Sequence, residues 1–403
     1  MKNKMLGSAL IIAGTTIGAG MLAMPLTSAG MGFGMTLVLL VGLWLLLTYT
    51  GLLFMEVYQT AKEKDVGVAT LAEQYFGLAG RGLATFSLLV LLYALLAAYI
   101  TGGGSLLSGV LPEMGERTGS IAIVLFTLIL GSFVVIGIKG VDGLTRLLFL
   151  GKIVAFVFVV LMMLPKAKLE NLTAVPLDNL LVISAIPIFF TSFGFHVIMG
   201  SINSYLEADI RKIRMAVLLG TLIPLTAYIF WQLATHGVLS QGEFVTLVKQ
   251  DPTLNGLVNA TTQITGSSLL GEAVRVFSTL ALITSFLGVA MGIFEGVGDL
   301  LKRFNLPNNR LVLTPLTFIP PLVFALFYPN GFIAALGYAG ILFAFYGLLL
   351  PIGLAWKARQ LHPNLPYRVA GGNIGLLLAL LMGIVIIIIP FFIEQGILPA
   401  VVG

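Results

Sequence analysis

Residues 14–20, Gly-Thr-Thr-Ile-Gly-Ala-Gly, interrupt a segment from Leu6 to Ala29 that is otherwise long and apolar enough to cross a bilayer. Each glycine disfavours a helix by about 1 kcal/mol relative to alanine. In lipid, N–H and C=O groups freed by a broken helix are tolerated only where protein or a polar cavity meets them. Such a break can therefore hold a polar ligand with main-chain atoms. A second interruption, Thr191-Ser192-Phe193-Gly194-Phe195-His196, follows Pro187 and precedes Gly200-Ser201. The third feature is Lys152, in Gly151-Lys152-Ile153-Val154-Ala155-Phe156. An ionisable group inside an apolar segment is a functional candidate, the alternative being a lysine that snorkels to the interface. Gly14 and Gly18 alone form a small-xxx-small pattern that usually means close helix packing. Two breaks at corresponding places favour a binding site instead.

The elements that must position these residues are membrane spans. Of 403 residues, 58% are hydrophobic and only 10% charged, against about 25% charged in an average soluble domain. Taking roughly 20 apolar residues per crossing, we read eleven segments, at about 6–29, 33–57, 83–110, 120–138, 147–165, 181–205, 213–236, 269–297, 311–328, 332–356 and 374–395. Met1 to Ala23 mimics a signal peptide, with Lys2 and Lys4 before an apolar run. Its glycines and the absence of a following soluble domain favour a span. With the N-terminus cytoplasmic, the inner side holds Lys2, Lys4, Lys62, Lys64, Arg81, Lys139, Arg146, Lys152, Arg211, Lys212, Arg214, Lys302, Arg303, Arg310, Lys357, Arg359 and Arg368. Arg117, Lys166, Lys168, Lys249 and Arg275 fall outside or near the outer surface, so the positive-inside rule is obeyed. The odd count puts the C-terminus outside, in the periplasm. The +5 formal charge is thus a topology signal and not a nucleic-acid one. Between Gly237 and Ser268, Phe244, Leu247, Leu254, Leu257 and Val258 predict short helices over the outer mouth, interrupted at Asp251-Pro252.

Five segments separate the starts of the two broken ones. An odd repeat enters the membrane from opposite sides, so segments one to five (about 6–165) and six to ten (about 181–356) read as inverted repeats, with segment eleven (about 374–395) appended. The expected fold is an all-α polytopic membrane protein, one domain over 1–403, with eleven transmembrane helices.

Ala13-Gly14-Thr15-Thr16-Ile17-Gly18-Ala19-Gly20-Met21-Leu22-Ala23-Met24-Pro25 and Thr191-Ser192-Phe193-Gly194-Phe195-His196 resemble the bacterial hydroxy and aromatic amino acid permeases. The likeness extends along the chain through Ile223-Pro224-Leu225, Tyr228-Ile229-Phe230-Trp231-Gln232, Thr284-Ser285-Phe286-Leu287-Gly288 and Ala325-Leu326-Phe327-Tyr328-Pro329. Gly-x-x-Ile-Gly-x-Gly alone marks the wider amino acid, polyamine and organocation superfamily. That resemblance implies the five-plus-five (LeuT-like) inverted repeat with broken helices one and six. It also implies proton-driven import of an aromatic amino acid, tyrosine first, into the cytoplasm across a bacterial inner membrane. One departure is visible. After His196, family members continue with glycine and, three residues later, proline, whereas here stand Val197-Ile198-Met199-Gly200. Gly200 would loosen the helix where proline would kink it.

An amino acid zwitterion needs both of its charges met in low dielectric. The carboxylate suits the N–H groups of Gly18, Ala19 and Gly20, at the positive end of the second half-helix. The ammonium suits carbonyls of Ile17 and of Ser192 or Phe193. An aromatic ring wants apolar stacking partners. Segment six offers Phe189, Phe193 and Phe195 around Gly194, and segment three offers Tyr93 and Tyr99; we prefer Phe193 and Tyr99. His196 would hydrogen-bond substrate, relay a proton or satisfy loose carbonyls. Lys152 matches by position a helix-five lysine that, in proton-linked relatives, takes the place of a sodium ion. Its ammonium would lie between the Gly14 carbonyl and the Thr284 and Ser285 hydroxyls, and its protonation would help close helix one against helices five and eight. Glu56 is read as a helix-end partner for a basic loop residue.

Rival classes fit worse. No His-Glu-x-x-His helix, Ser-His-Asp arrangement or Walker A pattern occurs, and no cysteine is present, so neither an enzyme nor an ATP-driven pump is expected. A channel would need a filter or a ring of charges. The close alternatives are tryptophan or broad aromatic import, sodium coupling and exchange. No cofactor, metal, nucleic acid or obligatory protein partner is expected. The substrate, protons and the bilayer are the partners.

Overall fold

Apolar runs of crossing length fold as helices because a helix satisfies its backbone internally in lipid. The computed structural model describes residues 4–63, 66–113, 115, 117–136 and 141–400. Lys2, Lys64 and Lys139 of the expected basic set lie outside the described residues, as do the side chains of residues 141–146, Arg146 included.

The chain runs through α1 (Lys4–Thr16), α2 (Gly20–Ser28), α3 (Phe33–Tyr58), α4 (Val68–Ser108), α5 (Thr118–Ile136), α6 (Val141–Met163) and a short α7 (Leu169–Leu172). It continues through α8 (Leu180–Ser192), a 3₁₀ turn at His196–Ile198, α9 (Met199–Tyr205), α10 (Ile210–Val238), α11 (Gln241–Gln250), α12 (Leu254–Thr265), α13 (Ser268–Arg303) and α14 (Arg310–Phe327). Last come α15 (Phe332–Ala344), a π-turn at Phe345–Leu349, α16 (Leu350–Leu361) and α17 (Gly372–Glu394). Among the described residues, ten helical stretches are long and apolar enough to cross a membrane, or eleven when α1 and α2, inclined at 51°, count as one span. No strand occurs among them. The protein is an all-helical, multi-pass membrane protein.

One boundary differs markedly from the sequence reading. Segment three starts far earlier, because α4 runs on from Val68 through a bend at Gly77, whose φ of +64° suits only glycine without strain. The connection after Val238 forms α11 and α12, as its periodicity predicts, with Phe244, Leu254, Leu257 and Val258 buried. Asp251 separates them, its Oδ1 accepting from the Thr253 N–H and hydroxyl.

Close approaches at glycine position the helices that carry the breaks. A Cβ on Gly220 of α10 would lie 2.7 Å from Ile12 Cβ and 2.9 Å from the Ala9 carbonyl, so α1 lies directly on α10. Trp44 and Thr48 of α3 both reach the Thr221 hydroxyl of α10, at 3.1 Å each. In α4, Gly102, Gly103 and Gly104 admit Phe332, Phe126 and Ile123 against the backbone. Several basic residues are tied on one face of the bundle. Lys4 pairs with Glu207 at 2.6 Å, and Arg214 lies 5.8 Å from the centre of the Tyr367 ring.

On that same face Glu56, fully buried at the end of α3, meets Arg359 of α16 through two oxygens at 2.6 and 2.8 Å. Its partner is a helix residue, not the loop residue expected. Glu56 also accepts from the Val369 N–H at 2.8 Å, and Arg359 donates to the Gly372 carbonyl at 2.8 Å. A charge stranded in such a place costs about 3–5 kcal/mol, whereas replacing both charges by apolar groups is often neutral. Arg359→Leu is thus expected to lower the melting temperature in detergent sharply, and Glu56→Leu/Arg359→Leu to recover most of the loss. A single variant as stable as the parent would show that the pair contributes nothing.

Candidate functional site

The first break begins where threonines turn their hydroxyls onto their own helix. Thr15 and Thr16 donate to the Ile11 and Ile12 carbonyls at 2.9 and 2.8 Å. Ile17 N–H makes the last bond of that ladder, to Ala13 at 2.8 Å, and α2 begins at Gly20. Around the gap, the loose groups find partners on three helices. Lys152 of α6 donates to the Ile17 carbonyl at 2.7 Å. The Ala19 N–H donates to Ser285 Oγ of α13 at 3.1 Å. Tyr228 of α10 lies 2.7 Å from the Thr16 carbonyl, and Trp231 Nε1 donates to the Met21 carbonyl at 3.1 Å. Among the described residues the N–H groups of Gly18 and Gly20 take no acceptor. Both glycines are partly exposed, whereas Ile17 and Ala19 are buried.

The second break lies against the first. α8 ends at Ser192, and a Cβ on Gly20 would meet Ser192 at Oγ (2.8 Å), Cα (3.1 Å) and Cβ (3.2 Å). The Ser192 carbonyl also lies 2.7 Å from the Tyr228 hydroxyl, so one side chain bridges both breaks. Phe193 packs edge-on against the Tyr228 ring, with centroids 5.0 Å apart. Its carbonyl carries no hydrogen bond among the described residues. Gly194 packs beside Phe343, its N–H donating to the Thr191 carbonyl at 3.1 Å.

The expected site residues therefore divide. Ile17, Gly18, Ala19, Gly20, Ser192, Phe193, Lys152 and Ser285 come together around the two breaks. The ammonium of Lys152 meets the Ile17 carbonyl where Gly14 was expected, and lies 4.7 Å from the centre of the Phe149 ring. That ring also covers Gly14, 3.2 Å from where its Cβ would be. Thr284 turns away, donating to Leu280 and Ala281 of its own helix at 2.9 and 3.1 Å. Phe195 leaves the break for α3, where its ring would clash with any Cβ on Gly51. His196 follows it, with Nε2 2.8 Å from the Thr50 hydroxyl and its ring among Phe54, Phe195 and Phe343. Tyr99 is buried on α4 and its hydroxyl takes no partner among the described residues, whereas Tyr93 donates to the Leu316 carbonyl of α14. Gly200 is the second residue of α9, directly after the 3₁₀ turn. It sits inside α9 and lets the Tyr58 hydroxyl approach to 2.9 Å from its would-be Cβ.

Tyr228 and Trp231 are absent from the expected site, yet a signal for them exists. Tyr228, Trp231, Gln232 and Thr235 follow the i, i+3, i+4, i+7 rule for one helix face, and all four are buried. A polar and aromatic stripe inside an apolar helix marks a face turned to other protein. Higher on that face, Ser28 Oγ donates to Gln232 Oε1 at 3.2 Å and lies 3.0 Å from His236 Nε2.

Chemically, the breaks present unpaired N–H donors beside an unpaired carbonyl in an apolar, aromatic setting. Such donors can pair with a negative group and such a carbonyl with a positive one. Among the described residues no three metal-ligating side chains cluster. Comparison with known proteins agrees in kind. The model of the tryptophan/tyrosine permease family matches residues 1–390. Tyrosine-specific transport system 2 of Haemophilus influenzae is 69% identical over 405 residues, covering 100% of both chains. Tyrosine-specific transport system 1 of that organism is 59% identical over 403 residues, again covering 100% of each. Its tryptophan-specific transport protein is 34% identical over 402 residues, covering 95% of this chain and 94% of the relative. With matches that run from end to end of a many-spanned helical chain, this protein belongs to the tryptophan/tyrosine permease family, whose members are transporters and not enzymes.

Proposed function

We propose that the protein imports an aromatic amino acid, tyrosine first, across the bacterial cytoplasmic membrane by proton symport with alternating access. The observation that carries this reading is the pair of contacts at the first break. Lys152 holds the Ile17 carbonyl and Ser285 accepts from the Ala19 N–H. A cation on a carbonyl and an oxygen on an amide are the contacts that a zwitterion would make. The protein thus satisfies the break from within, and arriving substrate takes over some of these bonds or adds to them at Gly18, Gly20 and the Phe193 carbonyl. An ammonium holds a carbonyl more strongly than a neutral amine does. Loss of the Lys152 proton would therefore loosen α1 from α6 and link proton release to movement of the break.

Helices α1–α6 and α8–α16 would form the two inverted repeats, with broken helices one and six supplying α1–α2 and α8–α9 and with α17 appended. The face carrying Lys4, Arg214 and Arg359 would be cytoplasmic by the positive-inside rule. The C-terminus would then lie in the periplasm. The tyrosine-specific names of the relatives at 69% and 59% identity support tyrosine as substrate. The tryptophan-specific relative at 34% keeps broader aromatic transport as the second reading.

Uptake of labelled tyrosine into proteoliposomes, challenged with tryptophan, phenylalanine and serine, separates the two. Unlabelled tyrosine should compete at least about tenfold better than serine, which lacks the ring's apolar contact area. An imposed inward proton gradient without sodium should drive accumulation. Uptake that requires sodium, or that serine blocks as well as tyrosine does, would overturn the proposal.

A further inference from the structure

A cavity adjoins the second break on the side of α9. It has a volume of about 640 Å³, begins one residue beyond His196 at Val197, and follows α9 down to Tyr205 between α4, α13 and the π-turn of Phe345–Leu349. A volume of that order is ordinary for a small-molecule site. Missing side chains help create the space. On α13, Gly292 and Gly296 face α4, with would-be Cβ positions 3.5 Å from Leu92 Cδ1 and 3.1 Å from Leu89 Cδ2. Gly200 of α9 also lines the cavity.

Among the described residues no charged side chain lines the cavity. Its polar groups are hydroxyls, and those of Thr85, Ser201 and Tyr346 take no hydrogen-bond partner among the described residues. Tyr346 is only 3% exposed. A phenol whose ring is buried while its oxygen opens, without a protein partner, into a cavity is placed to bond whatever occupies that space. The π-turn that carries it belongs to a class of helix irregularity frequent at functional sites. The Tyr58 hydroxyl, behind Gly200, is a buried phenol oxygen without a partner. Phe54 connects this wall to the second break, its ring 6.0 Å from His196 and 6.2 Å from Tyr346.

Away from Tyr205, whose ring carries the Lys4 ammonium at 5.9 Å, hydroxyls facing leucines match an uncharged side chain that is apolar along its length and polar at its tip. A phenol is such a group. We propose that this cavity is a second binding station, between the break and the basic face, for an amino acid bearing a ring hydroxyl, with Tyr346 the specificity-determining residue. The inference rests on the proposed aromatic amino acid transport. It adds a place where the ring hydroxyl is read, apart from the main-chain groups that hold the zwitterion. It also accounts for how main-chain recognition common to all α-amino acids becomes selective.

The chain has no cysteine, so Ser201→Cys introduces a single reactive thiol in the cavity wall. In proteoliposomes, the rate of its alkylation by N-ethylmaleimide is read with no addition, with tyrosine and with phenylalanine. Tyrosine is expected to slow labelling roughly three- to tenfold more than phenylalanine, the range of one hydrogen bond. In Ser201→Cys/Tyr346→Phe that difference should vanish. Thr85→Cys repeats the measurement from α4 should the first variant not assemble. Equal protection by both amino acids, or a tyrosine advantage that survives Tyr346→Phe, would mean closure at a distance and overturn the station. So would absence of protection in protein that still transports labelled tyrosine. If the parent protein transports neither amino acid, the failure lies with the proposed function itself.

Discussion

Lys152→Ala is expected to yield a protein that exchanges tyrosine across the membrane but no longer concentrates it. The ammonium lies between the Ile17 carbonyl, at 2.7 Å, and the face of Phe149, and only 2% of the residue is exposed. Removing it strands a buried carbonyl, a loss of about 1–3 kcal/mol, and removes the titratable group that touches the break. Lys152→Gln separates these effects, since the amide still donates but does not change charge. In proteoliposomes under an inward proton gradient, both variants should bring labelled tyrosine only to equal concentrations on the two sides. The glutamine variant should exchange within about tenfold of the parent, the loss expected from weakening a charge-assisted bond to a neutral one. Accumulation by either variant at the parent's level would take Lys152 out of coupling.

Gly20→Val should abolish uptake while the protein still inserts. The would-be Cβ at this position meets the backbone of Ser192, 3.1 Å from Cα, besides its hydroxyl at 2.8 Å. Backbone cannot rotate aside, so the two breaks must separate, and overpacking of this kind costs about 1–3 kcal/mol even where the surroundings adjust. Gly18 is different. Its would-be Cβ meets only Ser285 Oγ within 3 Å, a side-chain atom that can turn away, at the expense of the Ala19 bond. The order of severity is therefore predicted to be Gly20→Val first and Gly18→Ala last, with Gly20→Ala between them. The measurement is initial uptake normalised to membrane abundance. A Gly20→Val protein with more than about a tenth of parental uptake would exclude close apposition of the breaks as a requirement.

Much of this was legible in the chain because the bilayer simplifies the problem. Run length alone locates the spans, and the Gly14–Gly20 and Thr191–His196 interruptions mark the helix ends that meet. Rotation of a helix about its axis is harder to read. Thr284 and Ser285 are adjacent in sequence, yet one hydroxyl returns to its own helix and the other reaches the break. The same uncertainty moved the Lys152 contact from Gly14 to Ile17, because residues 17–19 leave the helical path and carry their carbonyls with them. Phe195 and His196 looked like pocket residues from their position. A glycine on the neighbouring α3, Gly51, remote in sequence, offers the space that draws the phenylalanine there, and no local pattern announces such a pairing. Tyr228 was missed for the opposite reason. Its stripe on α10 was visible, but the carbonyls it serves belong to helix ends more than thirty residues away in sequence.

That tyrosine has a consequence for motion. A phenol carries one hydrogen, and at Tyr228 two carbonyls, of Thr16 and Ser192, stand at the same 2.7 Å from its oxygen. They divide a single donor. Were either half-helix to swing away, the hydrogen would pass wholly to the one that stays, so the departing group would leave behind a stronger bond and part of the energy of parting would be returned. Under the proposed transport, each break would thereby be easier to move alone than both together, with Tyr228 as the balance arm.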